Sequence, residues 1–516
     1  MSWQKEVDEL QRRRELAREM GGPEKVARQK KQGKLTVRER IERLADGGSF
    51  RELGSIAGKA RYAEDGTLES FSPSNMLVGR ARIDGRPVVF SADDFTVRGG
   101  AADGSVWEKL AYAEQMASEL RLPLVRLVDG TGGGGSVKSL DHPDARTYIP
   151  AVPGFQHAVN NLSTVPVVGL ALGPTAGLGA ARVVLSHYSV MVRGLSQLFV
   201  AGPPVVAALG EKIDKEGLGG HHMQAANGVV DDAVADEDEA FARTRRFLSY
   251  LPSSVHELPA RGPVTDDPTR ADGFLIEAIP RDKRRAYKVR PILEAVLDRG
   301  SWFEIGAGWG RSVVTGLARL DGWPVAVLAN DPMHLGGGWS ADASLKLVRL
   351  LDLAETFRLP LVHFVDNPGF VVGEKAERAA TLRHGARALA AVYQARVPTC
   401  AIVLRRCYGL AGAAHMNQSK LKFRYAWPSG DWGSLPIEGG LEAAYKSELE
   451  KAEDPAAALA EIRARLDAVR SPLRTAEAFL VEELIDPRET RGLLCEFANL
   501  AAPLRGNMPS SLRYRP

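Results

Sequence analysis

The stretch Pro166–Arg182, PVVGLALGPTAGLGAAR, decides how this chain is read, because Pro398–His415, PTCAIVLRRCYGLAGAAH, repeats its plan. Each begins with proline, continues as an apolar run of strand length, and turns through Gly-Leu into a string of small residues. Gly177-Leu178 and Gly409-Leu410 lie eleven residues beyond Pro166 and Pro398. A buried strand that passes through glycine into a helix leaves the first helical N–H groups without intrahelical acceptors. Such amides can hold an oxygen on which negative charge develops. One copy alone is equally compatible with small residues that let a helix pack closely on a sheet. Two copies in register favour a pair of anion-holding turns.

Outward from these turns the two halves match at a fixed offset. Gly79, Arg82, Asp84-Gly85, Pro87, Gly99-Gly100, Arg121-Leu122-Pro123 and Asp129 recur 237 positions later as Gly316, Arg319, Asp321-Gly322, Pro324, Gly336-Gly337, Arg358-Leu359-Pro360 and Asp366. Gly48-Ser49-Phe50 corresponds to Gly300-Ser301-Trp302 at an offset of 252, and Gly177-Leu178 to Gly409-Leu410 at 232. The expected organisation is two homologous α/β domains, residues 1–250 and 280–516, joined by a proline-rich connection over 251–279. Within the first, Thr36 to Glu39 forms a capping-box pattern opening a helix over Val37–Leu44. Met76–Ile83 and Pro87–Ala92 read as a hairpin about Asp84-Gly85, Val106–Leu120 as a helix, and Leu122–Asp129 as a buried strand.

Composition narrows the function classes. The chain has 516 residues, 44% hydrophobic and 25% charged, with 67 basic against 64 acidic residues, so no overall basic field attracts nucleic acid. Three cysteines exclude a disulfide framework and a four-cysteine zinc ribbon and fit a reducing, cytoplasmic setting. The charged N-terminus has no signal-peptide core. The long uncharged run Asn160–Ala181 is broken by Pro166, Pro174 and glycines, against a membrane helix. Gly130, Gly132 and Gly135 satisfy G-x-G-x-x-G, but no helix pattern follows and no acid stands at the dinucleotide spacing, so a nucleotide site is not expected. No G-x-S-x-G, H-E-x-x-H or G-x-x-x-x-G-K motif occurs. Adjacent histidines His221-His222 point different ways and have no third ligand at metal spacing in sequence, so no metal is expected there.

Seven further segments carry a resemblance. Gly33 to Arg40 (GKLTVRER), Asp94 to Gly100 (DFTVRGG), Gly173 to Gly177 (GPTAG), Phe364 to Phe370 (FVDNPGF), Arg383 to Ala386 (RHGA), Tyr425 to Pro428 (YAWP) and Asp486 to Arg491 (DPRETR) stand in the order found in one family. The chain resembles the carboxyltransferase (β) subunit of biotin-dependent acyl-CoA carboxylases of the propionyl-CoA and methylcrotonoyl-CoA type. The resemblance implies an α/β fold of tandem crotonase-like (ClpP/crotonase) domains. It implies that amides at Gly177 and Leu178 hold the thioester enolate of an acyl-CoA, and that those at Leu410 and Ala411 hold the ureido oxygen of biotin. Gly99, Gly100, Gly132, Gly133, Gly409, Gly412 and Ala413 would line the substrate, and Pro368, Gly369 and Phe370 the cofactor. Carboxybiotin would release carbon dioxide in place, biotin would take the α-proton, and the carbanion would attack.

No Met-Lys-Met biotinylation site is present, so biotin is expected on a separate biotin carboxylase/carrier (α) subunit. Homo-hexamers are implied, with the first domain of one chain facing the second of another. The same machinery run backwards is a decarboxylase or transcarboxylase, and a non-catalytic structural paralogue is the reading from a different class. Leu178 and Leu410 replace a second glycine of many relatives, and the loop from Gly130 to Lys138 lacks the arginine of propionyl-CoA enzymes. Gly412-Ala413-Ala414 stands where those enzymes carry tyrosine and aspartate, implying acceptance of longer acyl groups.

Overall fold

The computed structural model describes residues 2–101, 104, 106–130, 141, 147, 149, 151–152, 154–435, 440–441, 444–506, 508–510 and 514–516. The chain divides into two compact units, Met1–Glu257 with Arg513–Pro516, and Leu258–Leu512.

The first unit is built on a seven-stranded sheet whose spatial order follows the chain. Its strands are β1 (Arg51–Leu53), β2 (Met76–Ile83), β3 (Arg86–Asp93), β4 (Leu124–Val128), β5 (Val167–Ala171), β6 (Tyr188–Val192) and β7 (Asp232–Val234). The first three pair antiparallel and the rest join in parallel, each through a helical or loop crossover. The hairpin β2–β3 turns at Asp84 (φ 49°) and Gly85 (φ 78°), the paired positive φ values that a two-residue turn matched to strand twist requires. β4 and β5 are buried along their whole length, as expected of strands covered on both faces. The one charge in β4, Arg126, is satisfied by Glu114 at 2.8 and 2.9 Å and by the Arg182 carbonyl at 3.0 Å.

The second unit repeats this sheet. Its strands are β8 (Phe303–Ile305), β9 (Val313–Leu320), β10 (Trp323–Asn330), β11 (Leu361–Asn367), β12 (Thr399–Tyr408), β13 (Phe423–Ala426), β14 (Asp431–Gly433) and β15 (Glu483–Leu484). The order is β8-β9-β10-β11-β12-β13-β15, with β14 also pairing with β12. The hairpin β9–β10 has the bounds of β2–β3 displaced by 237, and its turn residues Asp321 (φ 49°) and Gly322 (φ 78°) repeat the same angles. The preceding strands' helices, Trp107–Leu120 and Ala341–Phe357, both end in a left-handed arginine, Arg121 and Arg358. The core of this unit gathers Val314, Val327, Phe364, Ile402, Trp427 and Phe497.

The segment expected to be a connection is not a free tether. Leu251 and Val255 are buried in the first unit, and the Val255 amide donates to the Thr164 carbonyl at 2.9 Å. From Leu258 onward the chain belongs to the second unit: Gly262 N–H meets the Gly322 carbonyl at 2.9 Å, Arg261 pairs with Asp321, and Leu275 enters the core. Arginine side chains and isolated backbone bonds hold it, which leaves no periodic pattern in the sequence. Among the described residues, no helix is long and apolar enough to cross a membrane.

Candidate active site

In the first unit the chain leaves β5 at Ala171 and passes Gly173 into a short strand, Pro174–Ala176, which pairs in parallel with Gln197–Phe199. At Gly177 it turns (φ 57°, ψ −124°) into the helix Leu178–Val184. A Cβ on Gly177 would have open space around it, so glycine is required there by the backbone angle and not by crowding. The Gly177 N–H is already used, donating to the Phe199 carbonyl at 3.2 Å. This differs from the expectation that Gly177 itself offers a donor: the amides of Leu178, Gly179 and Ala180, the first three of the helix, are the ones with no partner among the described residues, and Leu178 and Gly179 stand next to the turn. Gly177 is exposed, Leu178 half-buried and Gly179 buried, so the turn opens at the surface and its helix runs inward.

Beside this turn lies the 3-10 turn Arg98–Gly100. A Cβ on Gly100 would sit 2.7 Å from Gly130 Cα and 2.8 Å from the Asp129 carbonyl oxygen, so only glycine lets the two loops touch. A cleft joins them, lined by Asn75, Asp93, Gly100, Trp107, Leu178 and Arg182. Arg182, from the helix that opens at Leu178, is buried and bonds Asp93 at 2.9 and 3.1 Å and Ser91 Oγ at 3.0 Å. That pairing fixes the helix, and with it the direction of its first amides.

Beneath the loop ends is a closed ionic cluster. Asp129, fully buried, accepts from Lys34 Nζ at 2.6 Å and from Arg40 Nη1 at 2.7 Å. Arg40, also fully buried, binds Glu237 at 2.6 Å and the Leu172 carbonyl at 2.9 Å. Burial lowers the Lys34 pKa, an effect that Asp129 opposes. The capping box at Thr36 and Glu39 forms as expected over Val37–Leu44 and holds Arg40 on the inward face of that helix. A Cβ on Gly173 would fall 2.0 Å from Asp129 Oδ1, so the turn segment lies directly against the cluster.

The second unit builds the same place with different parts. β12 runs unbroken to Tyr408, and its last residues Arg406 to Tyr408 pair with β14 as Pro174–Ala176 pairs with Gln197–Phe199. Gly409 (φ 60°) opens the helix Gly409–Ala413, and the amides of Leu410 and Ala411 have no partner among the described residues. Leu410 is 57% exposed while Ala411 is fully buried, so the side chain at the turn lies away from the backbone donors. Gly412 packs against Cys407, where a Cβ would be 2.7 Å from the carbonyl carbon; Ala413 is exposed. Gly336 and Gly337 lie in the matching 3-10 turn, and a Cβ on Gly337 would meet the Asp366 carbonyl oxygen at 2.4 Å. Pro368 and Gly369 adjoin this turn and the Tyr408 carbonyl, and Phe370 packs its ring on Trp339 at 6.1 Å.

Asp366 is the counterpart of Asp129, but its partners come from the neighbouring strand. Arg406 Nε donates at 2.7 Å, the Arg406 amide at 3.0 Å and Arg405 Nη2 at 3.0 Å. Burial works to raise the Asp366 pKa, yet the two arginines hold it below the ordinary carboxylate value. Behind the second turn runs a chain of polar contacts. His415 Nδ1 lies 2.7 Å from the Gly412 carbonyl, and His363 Nδ1 lies 3.0 Å from the His415 carbonyl. Asn330, 3.4 Å from His363 Nε2, donates to the Gly337 carbonyl at 2.8 Å. Burial pushes His363 down to about 3 and His415 to about 4, so both imidazoles are neutral at pH 7. Burial also pushes Cys407 up to about 12; it remains a thiol and is no nucleophile.

Gly132 and Gly133 lie outside the described residues. The others fall into two groups: Gly99, Gly100, Gly177 and Leu178 about the first turn, and Pro368, Gly369, Phe370, Gly409, Leu410, Ala411, Gly412 and Ala413 about the second. The supporting charges Arg182, Asp93, Arg405, Arg406 and the two buried histidines were not singled out from sequence. One signal was available for each arginine, a cation inside an apolar strand or small-residue helix. Among the described residues, Glu216, His221 and His222 place one donor atom each within 4.8 Å of one another, a grouping the sequence spacing did not suggest.

Two crotonase-like units, each opening a helix on a glycine turn, define the class of protein. The carboxyl transferase domain family matches residues 28–514, and the chain belongs to it. It is 32% identical to the carboxyltransferase subunit of propionyl-CoA carboxylase from Haloferax mediterranei, over 99% of this chain and 98% of that one. It is 30% identical to the methylmalonyl-CoA decarboxylase subunit alpha of Veillonella parvula, over 94% of each. The solved structure of transcarboxylase 12S, described as a hexamer with methylmalonyl-coenzyme A and methylmalonic acid bound, is similar with a TM-score of 0.87 and 29% identity, over 100% of this chain and 98% of its own.

Proposed function

We propose that this chain moves a carboxyl group from carboxybiotin, borne by a separate carrier subunit, to the carbon next to the thioester of an acyl-CoA. The observation that carries the proposal is the pair of glycine turns, each with unpartnered amides at a helix start. In this reading the amides of Leu178 and Gly179 hold the thioester oxygen as it gains charge, and Gly177 sets their direction. The amides of Leu410 and Ala411 hold the ureido oxygen. Fixed donors at such positions stabilise developing charge without reorganisation. Bound carboxybiotin supplies the carbon dioxide and, at its ureido nitrogen, the base. The open second turn suits it: Leu410 is exposed, the donors are backbone, and Pro368 to Phe370 form one side. No side chain of this chain is required to shuttle the proton, in keeping with the neutral, hydrogen-bonded His363 and His415.

The decarboxylase and transcarboxylase relatives favour one second reading, the same transfer run in the opposite direction. We further propose a hexamer, by analogy with the transcarboxylase structure.

The test removes one donor from each turn. Position 178 is the first of its helix, where proline fits, so Leu178→Pro deletes an N–H with little cost to the helix. With Leu410→Pro at the second turn, each variant should lose about 2.7–4 kcal/mol of transition-state stabilisation, roughly 10²–10³ in kcat. The assay is labelled bicarbonate incorporation by the complex with its biotin partner. Full activity in both folded variants would reject the two-turn reading.

A further inference from the structure

We propose that Glu216, His221 and His222 form a three-donor site for a borderline divalent cation of the zinc class, and that the ion pins the strand behind the first glycine turn. The donors converge in an unusual way for adjacent histidines. The two rings stand 5.9 Å apart at 89°, and one donor atom from each of the three residues lies within 4.8 Å of the others. His221 Nδ1 lies 3.3 Å and His222 Nδ1 3.9 Å from the same carboxylate oxygen, Glu216 Oε1. Donors bound tetrahedrally at about 2.0–2.2 Å stand roughly 3.4 Å apart, so the set, now within 4.8 Å, closes on an ion by side-chain rotation. His221 Nδ1 is buried and makes no hydrogen bond among the described residues.

The surrounding chain holds the carboxylate in place. Gly220 wraps it so closely that a Cβ there would be 2.4 Å from Glu216 Oε1. Gln197 Nε2 donates to the other oxygen, Oε2, at 2.9 Å, the kind of outer hydrogen bond that orients a metal-bound carboxylate. Two imidazoles and one carboxylate suit zinc, cobalt or nickel, and exclude magnesium and calcium, which take oxygen donors. His222, half exposed, leaves the solvent side open to a bound water.

The site leads to the first turn through few contacts. Gln197 begins the short strand Gln197–Phe199, and Gln224, two residues past His222, donates to the Leu198 carbonyl at 2.7 Å. Phe199 accepts the Gly177 N–H. An ion joining Glu216 to His221 and His222 therefore fastens both ends of the segment that grips this strand.

Cobalt chloride titrated into the full chain is the direct probe, since four-coordinate cobalt absorbs in the visible. One equivalent per chain should bind, be displaced by zinc and not by magnesium, and vanish in Glu216→Gln and His222→Ala. His256→Ala, an exposed histidine elsewhere, should keep it. Hydrogen exchange of a peptide spanning residues 197–199 should slow with zinc in the wild type and not in His222→Ala, whose change at a half-exposed side chain spares the core. Uptake that survives these substitutions, the lack of a one-to-one site, or uptake with unchanged exchange at 197–199 would each overturn the proposal.

Discussion

Acidification should loosen the second glycine turn before the rest of its unit. His363 and His415 are buried with pKa values of about 3 and about 4, against 6.5 for a free imidazole. A histidine that resists protonation only when folded binds more protons once opened, so acid favours the open state. Its stabilising contribution is complete above pH 6.5 and is lost as the pH falls toward the folded values. Between pH 7.5 and 5.0 each histidine should cost about 2 kcal/mol, at 1.36 kcal/mol per pKa unit, which corresponds to roughly thirtyfold in an opening equilibrium. Both bond to the segment around Gly412, so an opening that frees both should gain up to about 4 kcal/mol. Hydrogen exchange read as protection factors, with the intrinsic rate divided out, measures this for peptides covering 361–367 and 409–416. The double variant His363→Gln with His415→Gln should flatten the response. An unchanged protection factor at pH 5.0, or the same fall in the double variant, would refute the assignment of both histidines as buried and neutral.

Other outcomes follow from the two sites. Gly177→Ala meets no obstruction but must adopt φ 57° with ψ −124°, a strain of about 1–3 kcal/mol, so kcat should fall and the melting temperature should drop through backbone strain alone. Gly100→Ala, by contrast, drives a methyl into Gly130 Cα and should also lower the melting temperature. Arg40→Met leaves Asp129 and Glu237 buried without their shared partner and should destabilise the first unit by about 3–5 kcal/mol in calorimetry, leaving second-unit hydrogen exchange unchanged. Ala413→Asp should narrow the range of acyl lengths accepted, measured as kcat/KM for propionyl-CoA against butyryl-CoA, if the exposed face of the second helix borders the acyl chain.

What the sequence made legible is what local rules encode. The Asp-Gly turns, the capping box and the apolar strand runs sit within a residue or two of their places, because each depends on neighbours a few positions away. The glycine turns were legible through repetition, since no single copy is distinctive. Three things were hidden. The Gly177 amide is taken by Phe199, a contact between two three-residue strands too short to show a pattern. Glu216 joins the histidine pair through a turn at Gly220, five residues away on no periodic spacing. The proline-rich stretch from Leu258 is strapped down by Arg261 and Leu275, and long-range arginine contacts leave no local signature.

Asp129 and Asp366 hold equivalent places, yet their counter-ions have opposite origins. Those of Asp366 come from Arg405 and Arg406, 39 and 40 positions along the chain on the adjoining strand. Those of Asp129 come from Lys34 and Arg40, 95 and 89 positions before it, outside the sheet. The second site can therefore assemble as its sheet zips up, whereas the first waits for an outlying N-terminal arm to dock. Duplication kept the acid and left each copy to recruit its own guard, so shortening the arm would strip Asp129 of its partners and leave those of Asp366 in place.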